Sequence, residues 1–449
     1  MSFTNTNPPT KLPFTMNEKA PAPVPEPQTP VEEGTRPQSR FRSLWRTLVA
    51  VLLLWVGWDA LSGLGFEMYR AFRYFHPARF EYHGSVGPDM KALLSGPNMI
   101  DCHAGWATRF AESSNGTHVA RAAYTMPLDA SAYLFDALKG SCASGDINFV
   151  AASEPRDDVL VDVAAYYTDD QAKWLRLTSV CHVSHAGLGE GIALVPNKRF
   201  QHGCACKGNQ IQYTVTVHVP VGATVPLLKT NLPSFTHNFE ELPADFTFGS
   251  VDINAASVVA KELKADSVSV NVKNTAITGF YNITSSLELK TTNAPIDVEV
   301  DAYGHHPVWI RLITTNNKID ADISLHEVSR TGRFDVFAHS TNGAVNVDIL
   351  ESPLGGIIKA ETKTTNAPAR LALGPAFEGE IAAHTTNAQA LVDRTPSEDP
   401  TGEGRERTVE LGHVWETGFR GWTSWGERRN TLRSRARVSS TNKPVVLAF

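Results

Sequence analysis

The 449-residue chain lacks the local signatures that announce chemistry. It has no Gly-x-Ser-x-Gly elbow, phosphate-binding loop, His-Glu-x-x-His pair or dinucleotide fingerprint. The enzyme classes that depend on those motifs therefore have no support in the sequence. Neither sign of charge dominates: 41 Lys and Arg stand against 47 Asp and Glu, a net charge of −6 with a pI near 6.2. That balance argues against a nucleic-acid partner, which favours a basic surface.

Cysteine is scarce. All five, Cys102, Cys142, Cys181, Cys204 and Cys206, lie in the C-terminal four-fifths of the chain. In an oxidising compartment five thiols give two disulfides and one spare. The pairing cannot be read from spacing, and Cys181 with Cys204 or Cys206 is the expectation. A metal site is the alternative, because Cys181-His182-Val-Ser-His185 and His202-Gly-Cys204-Ala-Cys206 carry zinc-type ligands. Cys-x-Cys is not the usual structural-zinc spacing, so disulfides are favoured. No metal or other cofactor is expected.

Long apolar runs are absent but for one, residues 44–66, with Leu48–Trp58 wholly apolar. A helix of that length at ~1.5 Å per residue spans a ~30 Å hydrocarbon core. Arg36, Arg40, Arg42 and Arg46 flank its N-terminal side, so the positive-inside rule places residues 1–43 in the cytosol and the rest outside or in a lumen. Residues 1–40 hold nine of the 27 prolines and read as a disordered tail. A cleaved signal peptide is disfavoured by the long polar stretch before the apolar run. The sequons Asn115-Gly-Thr and Asn282-Ile-Thr both follow the anchor, where glycosylation is possible. The expected form is a single-pass type II membrane protein.

What the chain has in quantity is one recurring phrase. Thr-Thr-Asn or Ser-Thr-Asn places Asn293, Asn316, Asn342, Asn366 and Asn387 at steps of 23, 26, 24 and 21 residues, and Asn442 repeats it near the end. Three, five and seven residues past the first five asparagines, fourteen of fifteen positions are apolar, beginning Ile296, Val298, Val300 and ending at Arg394. The interleaved positions are mostly polar, among them Asp297, Glu299, Asp320, Asp322 and Asp348. Period-two alternation held in register predicts half-buried strands on a shared core. A repeat this short cannot offset its own ordering entropy, so the units must stack. Asn suits the corner because it tolerates left-handed backbone, and stacked corners can form an amide ladder.

The predicted fold is all-β. Residues 246–449 read as a β-solenoid-like stack with a loop insertion at 395–437, marked by Pro396, Pro400 and Gly402-Glu-Gly. Residues 81–245 read as less regular β-structure, with confident strands at 159–167 and 211–219, a short helix at 169–177, and a degenerate earlier unit around Ser267–Val272 and Asn274.

The Ser/Thr-Thr-Asn-x-x-Ile/Val phrase, the preceding anchor, and Lys229–Phe239 leading into Phe248-Gly-Ser-Val-Asp-Ile resemble a group of uncharacterised fungal single-pass membrane proteins. The repeat is similar to the bacterial putative-adhesin domain of unknown function. The resemblance implies a β-solenoid-like fold and supplies no catalytic residues.

Two clusters remain as candidate surfaces. The column Glu299, Asp322, Asp348 could raise carboxylate pKa values or attract Ca²⁺, although outward acids also keep β-stacks soluble. Trp415, Trp422 and Trp425 lie among Arg405, Arg407, Arg420, Arg428, Arg429, Arg433, Arg435 and Arg437, a composition suited to a glycan or anionic polymer or to capping a core. The expected function is a non-catalytic, adhesin-like binding or structural protein with a glycan or protein ligand. The alternative is a polysaccharide-active enzyme of parallel β-helix type. The topology is checked on intact cells: external protease should remove the C-terminal part and spare residues 1–43, and an endoglycosidase shift should vanish in Asn115→Gln/Asn282→Gln.

Overall fold

The computed structural model describes residues 101–103, 111–112, 117–138, 141, 143–175, 178–185, 189–196, 211–304, 306–327, 332–427 and 434–449. All described residues belong to one compact unit within 83–449. The expected tail and the 44–66 anchor lie outside the described residues, as do Asn115, Cys142, Cys204 and Cys206. Among the described residues no helix is long and apolar enough to cross a membrane.

The described part is all-β. Its first strands are β1 (Asp101–His103), β2 (Ala111–Glu112), β3 (His118–Pro127), β4 (Tyr133–Ala137), β5 (Ala143–Ala151), β6 (Asp158–Tyr167), β7 (Thr178–His185), β8 (Gly189–Pro196) and β9 (Ile211–Val219). The expected helix at 169–177 is a 3₁₀ turn, Asp169–Gln171, running into a four-residue α-helix, Ala172–Leu175. Antiparallel pairs dominate here, as in β3–β6, β6–β9 and β7–β8. Three long strands follow: β10 (Thr224–Glu241), β11 (Thr247–Asn271) and β12 (Ile277–Lys290). β10 joins the two regions by pairing in parallel with β4 through its first half and with β5 through its second.

The repeats then give β13 (Ile296–Gly304), β14 (Val308–Thr314), β15 (Ile319–Glu327), β16 (Arg333–Ser340), β17 (Val345–Glu351), β18 (Ile357–Thr364), β19 (Ala369–Leu373), β20 (Gly379–Thr385) and β21 (Ala390–Asp393). After them come β22 (Arg407–Trp415), β23 (Gly418–Trp425), β24 (Arg435–Ser440) and β25 (Val445–Ala448). Odd strands β13, β15, β17 and β19 pair in parallel with one another, and even strands β14, β16 and β18 do the same. The chain thus visits two ladders by turns. Ile296, Ile319 and Val345 lie side by side, each fully buried, as the repeat columns require. One continuous core runs from Ala120 to Phe449, mostly aliphatic within the repeats, where Phe334 and Phe377 are the exceptions before the hairpin. Near β10 it turns aromatic, where Phe149 stacks on Phe239 at 4.6 Å.

The corners explain the phrase. Each asparagine side chain donates to the next, at 2.7 Å, in the order Asn387, Asn442, Asn366, Asn342, Asn316, Asn293, Asn274. The hydroxyl two residues before each asparagine from Asn316 onward is buried and donates to the carbonyl just after the neighbouring corner. Thr314 reaches Ala294, Ser340 reaches Asn317 and Thr364 reaches Gly343. The first phrase residue must therefore be Ser or Thr, since a buried carbonyl there needs a donor.

The ladder order also shows where the C-terminal unit joins the stack. Asn442 stands between Asn366 and Asn387, so the C-terminal unit is not last in space. β24 pairs with β18 on one side and β20 on the other, and β25 lies between β19 and β21. The 395–437 segment is more than a loop: β22 and β23 form an antiparallel hairpin, and β23 pairs antiparallel with β20.

One buried group is poorly accommodated. His237 on β10 is fully buried with neither ring nitrogen hydrogen-bonded. Burial, opposed only weakly by the Phe235 backbone, pushes its imidazole down to about 3. The unfolded chain, near 6.5, takes up the proton first, so stability is full above that value and falls as pH drops toward 3. Chemical denaturation should show about 2 kcal/mol less stability at pH 5 than at pH 8 from this group, and His237→Phe should flatten that difference. Removing residues 434–449 should leave residues 374–427 open to limited proteolysis while a fragment ending near Leu373 persists. Asn316→Ala, which breaks two ladder bonds, should cost only about 1–2 kcal/mol.

Candidate functional site

Alternation turns every second side chain of the two ladders outward, and parallel register lines these side chains up across strands. The outer face of the β13–β15–β17 ladder is acidic. One row reads Asp297, Asp320, Asn346, Arg370, and the next Glu299, Asp322, Asp348, Ala372. Crowding is partly relieved: Asn346 donates to Asp320 at 2.7 Å, Lys318 pairs with Asp320, and Arg370 pairs with Asp348. Partial burial, then Asp348, Asp297 and Asp320, raises the Asp322 carboxyl above its ordinary range. Among the described residues no group of three or more His, Cys, Asp or Glu side chains is placed to hold a metal ion. The sequon residue Asn282 sits half-buried on β12, opposite Asp301 of β13. Thr284 of the sequon donates to Asp266 at 2.6 Å.

The other ladder presents aromatic and basic side chains. One row runs Trp309, Asp335, Lys359, Arg435, Glu380, Trp422 over β14, β16, β18, β24, β20 and β23. A second runs Arg311, Phe337, Glu361, Arg437, Ala382, Arg420. Glu380 is held by Arg435 at 2.9 Å and Arg420 at 3.6 Å, and Asp335 by Arg333 at 2.9 Å. Burial, then the charges of Lys363 and Arg311, lowers the imidazole of His339, which stands beside Lys363, below its ordinary range.

The Trp/Arg segment divides between core and surface. Trp425 is buried, and its indole donates to the Pro375 carbonyl at 2.7 Å. Arg407 lies 5.6 Å from the Trp425 ring centroid and 5.2 Å from that of Phe449, a cation over two aromatic faces. Burial lowers its guanidinium to about 10. Arg405 clamps Asp399, which also accepts from Thr401, and these bonds hold the Asp399 carboxyl below the usual range. Trp422 is half-buried and Trp415 exposed on the outer side, while Arg428, Arg429 and Arg433 lie outside the described residues. Alternation along β23 separates Trp422 from Trp425. Sequence reasoning missed Trp309, Phe337, Lys359 and Lys363, which belong to the even strands that the asparagine columns do not index.

Cys181 is fully buried and disulfide-bonded. Its backbone stands opposite Cys102 in the β1–β7 pair. His182 contacts Glu190 at 2.9 Å, and Ser184 donates to the other oxygen of the same carboxylate.

Residues 266–401 match the family described as Domain of unknown function (DUF7330), just under a third of the chain. No curated protein matches. One solved structure that is similar is described as a putative cell adhesion protein from Clostridium sporogenes, at 6% identity, covering 74% of this chain and 99% of that one, with a TM-score of 0.15. At that score the likeness is too loose to speak for a shared fold.

Proposed function

We propose that this chain is a membrane-anchored, extracytoplasmic binding protein of adhesin type, built as a β-solenoid-like stack. It works by display and not by turnover. The observation that supports this most is the regular array of outward side chains, fixed in rows by a hydrogen-bonded corner ladder. A regular lattice of charge and aromatic side chains suits a polymeric or protein partner, which can touch many rows at once. The apolar run at 44–66 with its Arg flank supplies the anchor in this reading, and the sequons at Asn115 and Asn282 fit a lumenal or extracellular stack.

A polysaccharide-active enzyme is the second reading. It is favoured by Glu299, Asp322 and Asp348 on adjacent strands, with Asp322 raised. Neighbouring strands lie ~4.8 Å apart, near the roughly 5–5.5 Å of a retaining carboxylate pair.

Cells displaying the full chain should bind at least one immobilised glycan or protein surface without releasing new reducing ends. Binding with no turnover, unchanged in Asp322→Asn, supports the display reading. Turnover lost in Asp322→Asn would replace it with the enzyme.

A further inference from the structure

We infer that the outer face of the β14–β16–β18–β24–β20–β23 ladder is a binding platform for a linear acidic polysaccharide. This inference rests on the display reading above and names its partner class.

The argument begins with the contrast between the two outer faces. The odd-strand face carries stacked acids, which would repel a polyanion. On the even-strand face the carboxylates Glu380, Asp335 and Glu288 each already have an arginine partner, and Glu361 stands across from Arg437 without an ion pair among the described residues. Lys359, Lys363 and Arg437, in contrast, form no ion pair among the described residues. They occupy neighbouring strands β18 and β24, where Lys359 faces Arg435 and Glu361 faces Arg437. Glu361 offsets part of the charge of Arg437, and the charges of Lys359 and Lys363 are left for an external anion.

Aromatic side chains bracket this cationic centre along the stack axis. Trp309 and Trp422 stand on either side of Lys359 in one row, which runs on to Ser286 of β12 beyond Trp309 and to Glu410 of β22 beyond Trp422. Five strand steps separate them, ~24 Å at ~4.8 Å per step. Phe337 lies one strand from Lys359, in the adjacent row. Aromatic faces take the apolar faces of sugar rings, and the lysines and arginine take carboxylate or sulfate groups. A span of that length along one row suits an extended chain of several sugars better than a single sugar, which needs a pocket. A nucleic acid needs a denser cationic surface than three unpaired cations, on a protein of net charge −6.

The test uses the full chain purified in detergent and titrated with polygalacturonate, dextran sulfate, neutral dextran and single-stranded DNA. Saturable binding to an acidic polysaccharide is expected, weakening as salt rises from about 0.05 to about 0.5 M. Lys359→Glu/Lys363→Glu/Arg437→Glu should weaken it by about tenfold or more. Asp297→Asn/Asp322→Asn on the opposite face should not weaken it, and circular dichroism confirms that each variant is folded. Trp309→Ala should weaken binding at high salt as well as low. Failure to bind either acidic polymer, indifference to the triple charge reversal, or tighter binding of DNA would each overturn the inference. If cells displaying the chain still bind a neutral glycan or a protein, the display reading survives that failure; if they bind nothing, both fall.

Discussion

The structure depends on a reciprocal demand at the corner. A buried hydroxyl in one unit satisfies a carbonyl in the next, while the asparagine beside it bonds to the asparagine above and below. An unmet buried carbonyl is costly, so each unit must present the same turn at the same height as its neighbour. Once the corners align, parallel register follows for the strands that leave them. The period of two then settles which side chains fill the core and which face water.

This constraint explains which parts were readable beforehand. Ile296, Ile319 and Val345 could be placed together from sequence because corner and column repeat locally and need no knowledge of the whole. Asn274 was legible for the same reason, as a worn copy of the phrase. The position of the C-terminal unit was not. Asn442 bonds to Asn366 and Asn387 alike, and nothing near residue 442 records that choice. The hairpin in the 395–437 segment was hidden by its prolines and glycines, which read as loop while β22 and β23 lie just beyond them.

The candidate surface was half legible. Its acidic side followed from the columns, because those acids alternate with indexed aliphatics. Its aromatic and basic side did not, because the columns were counted forward from each corner: Trp309, Asp335 and Lys359 each stand seven residues before the next asparagine, and the varying step between corners hides that column from a forward count. The tryptophans of the C-terminal segment could not be sorted by composition. Trp425 and Trp422 differ in fate because an odd step along β23 exchanges core for solvent.

The placement of the last unit bears on biosynthesis. A ribosome makes β20 and β21 before β24 and β25, yet in the finished molecule the later strands lie beneath the earlier ones. For the roughly 2–8 s needed to add the intervening segment, at about 5–20 residues per second, the older pair has no floor to rest on. Assembly therefore cannot proceed strictly in order of synthesis. Residues 434–449 close a gap inside the structure, so a chain cut short before them leaves β20 and β21 without the strands they rest on.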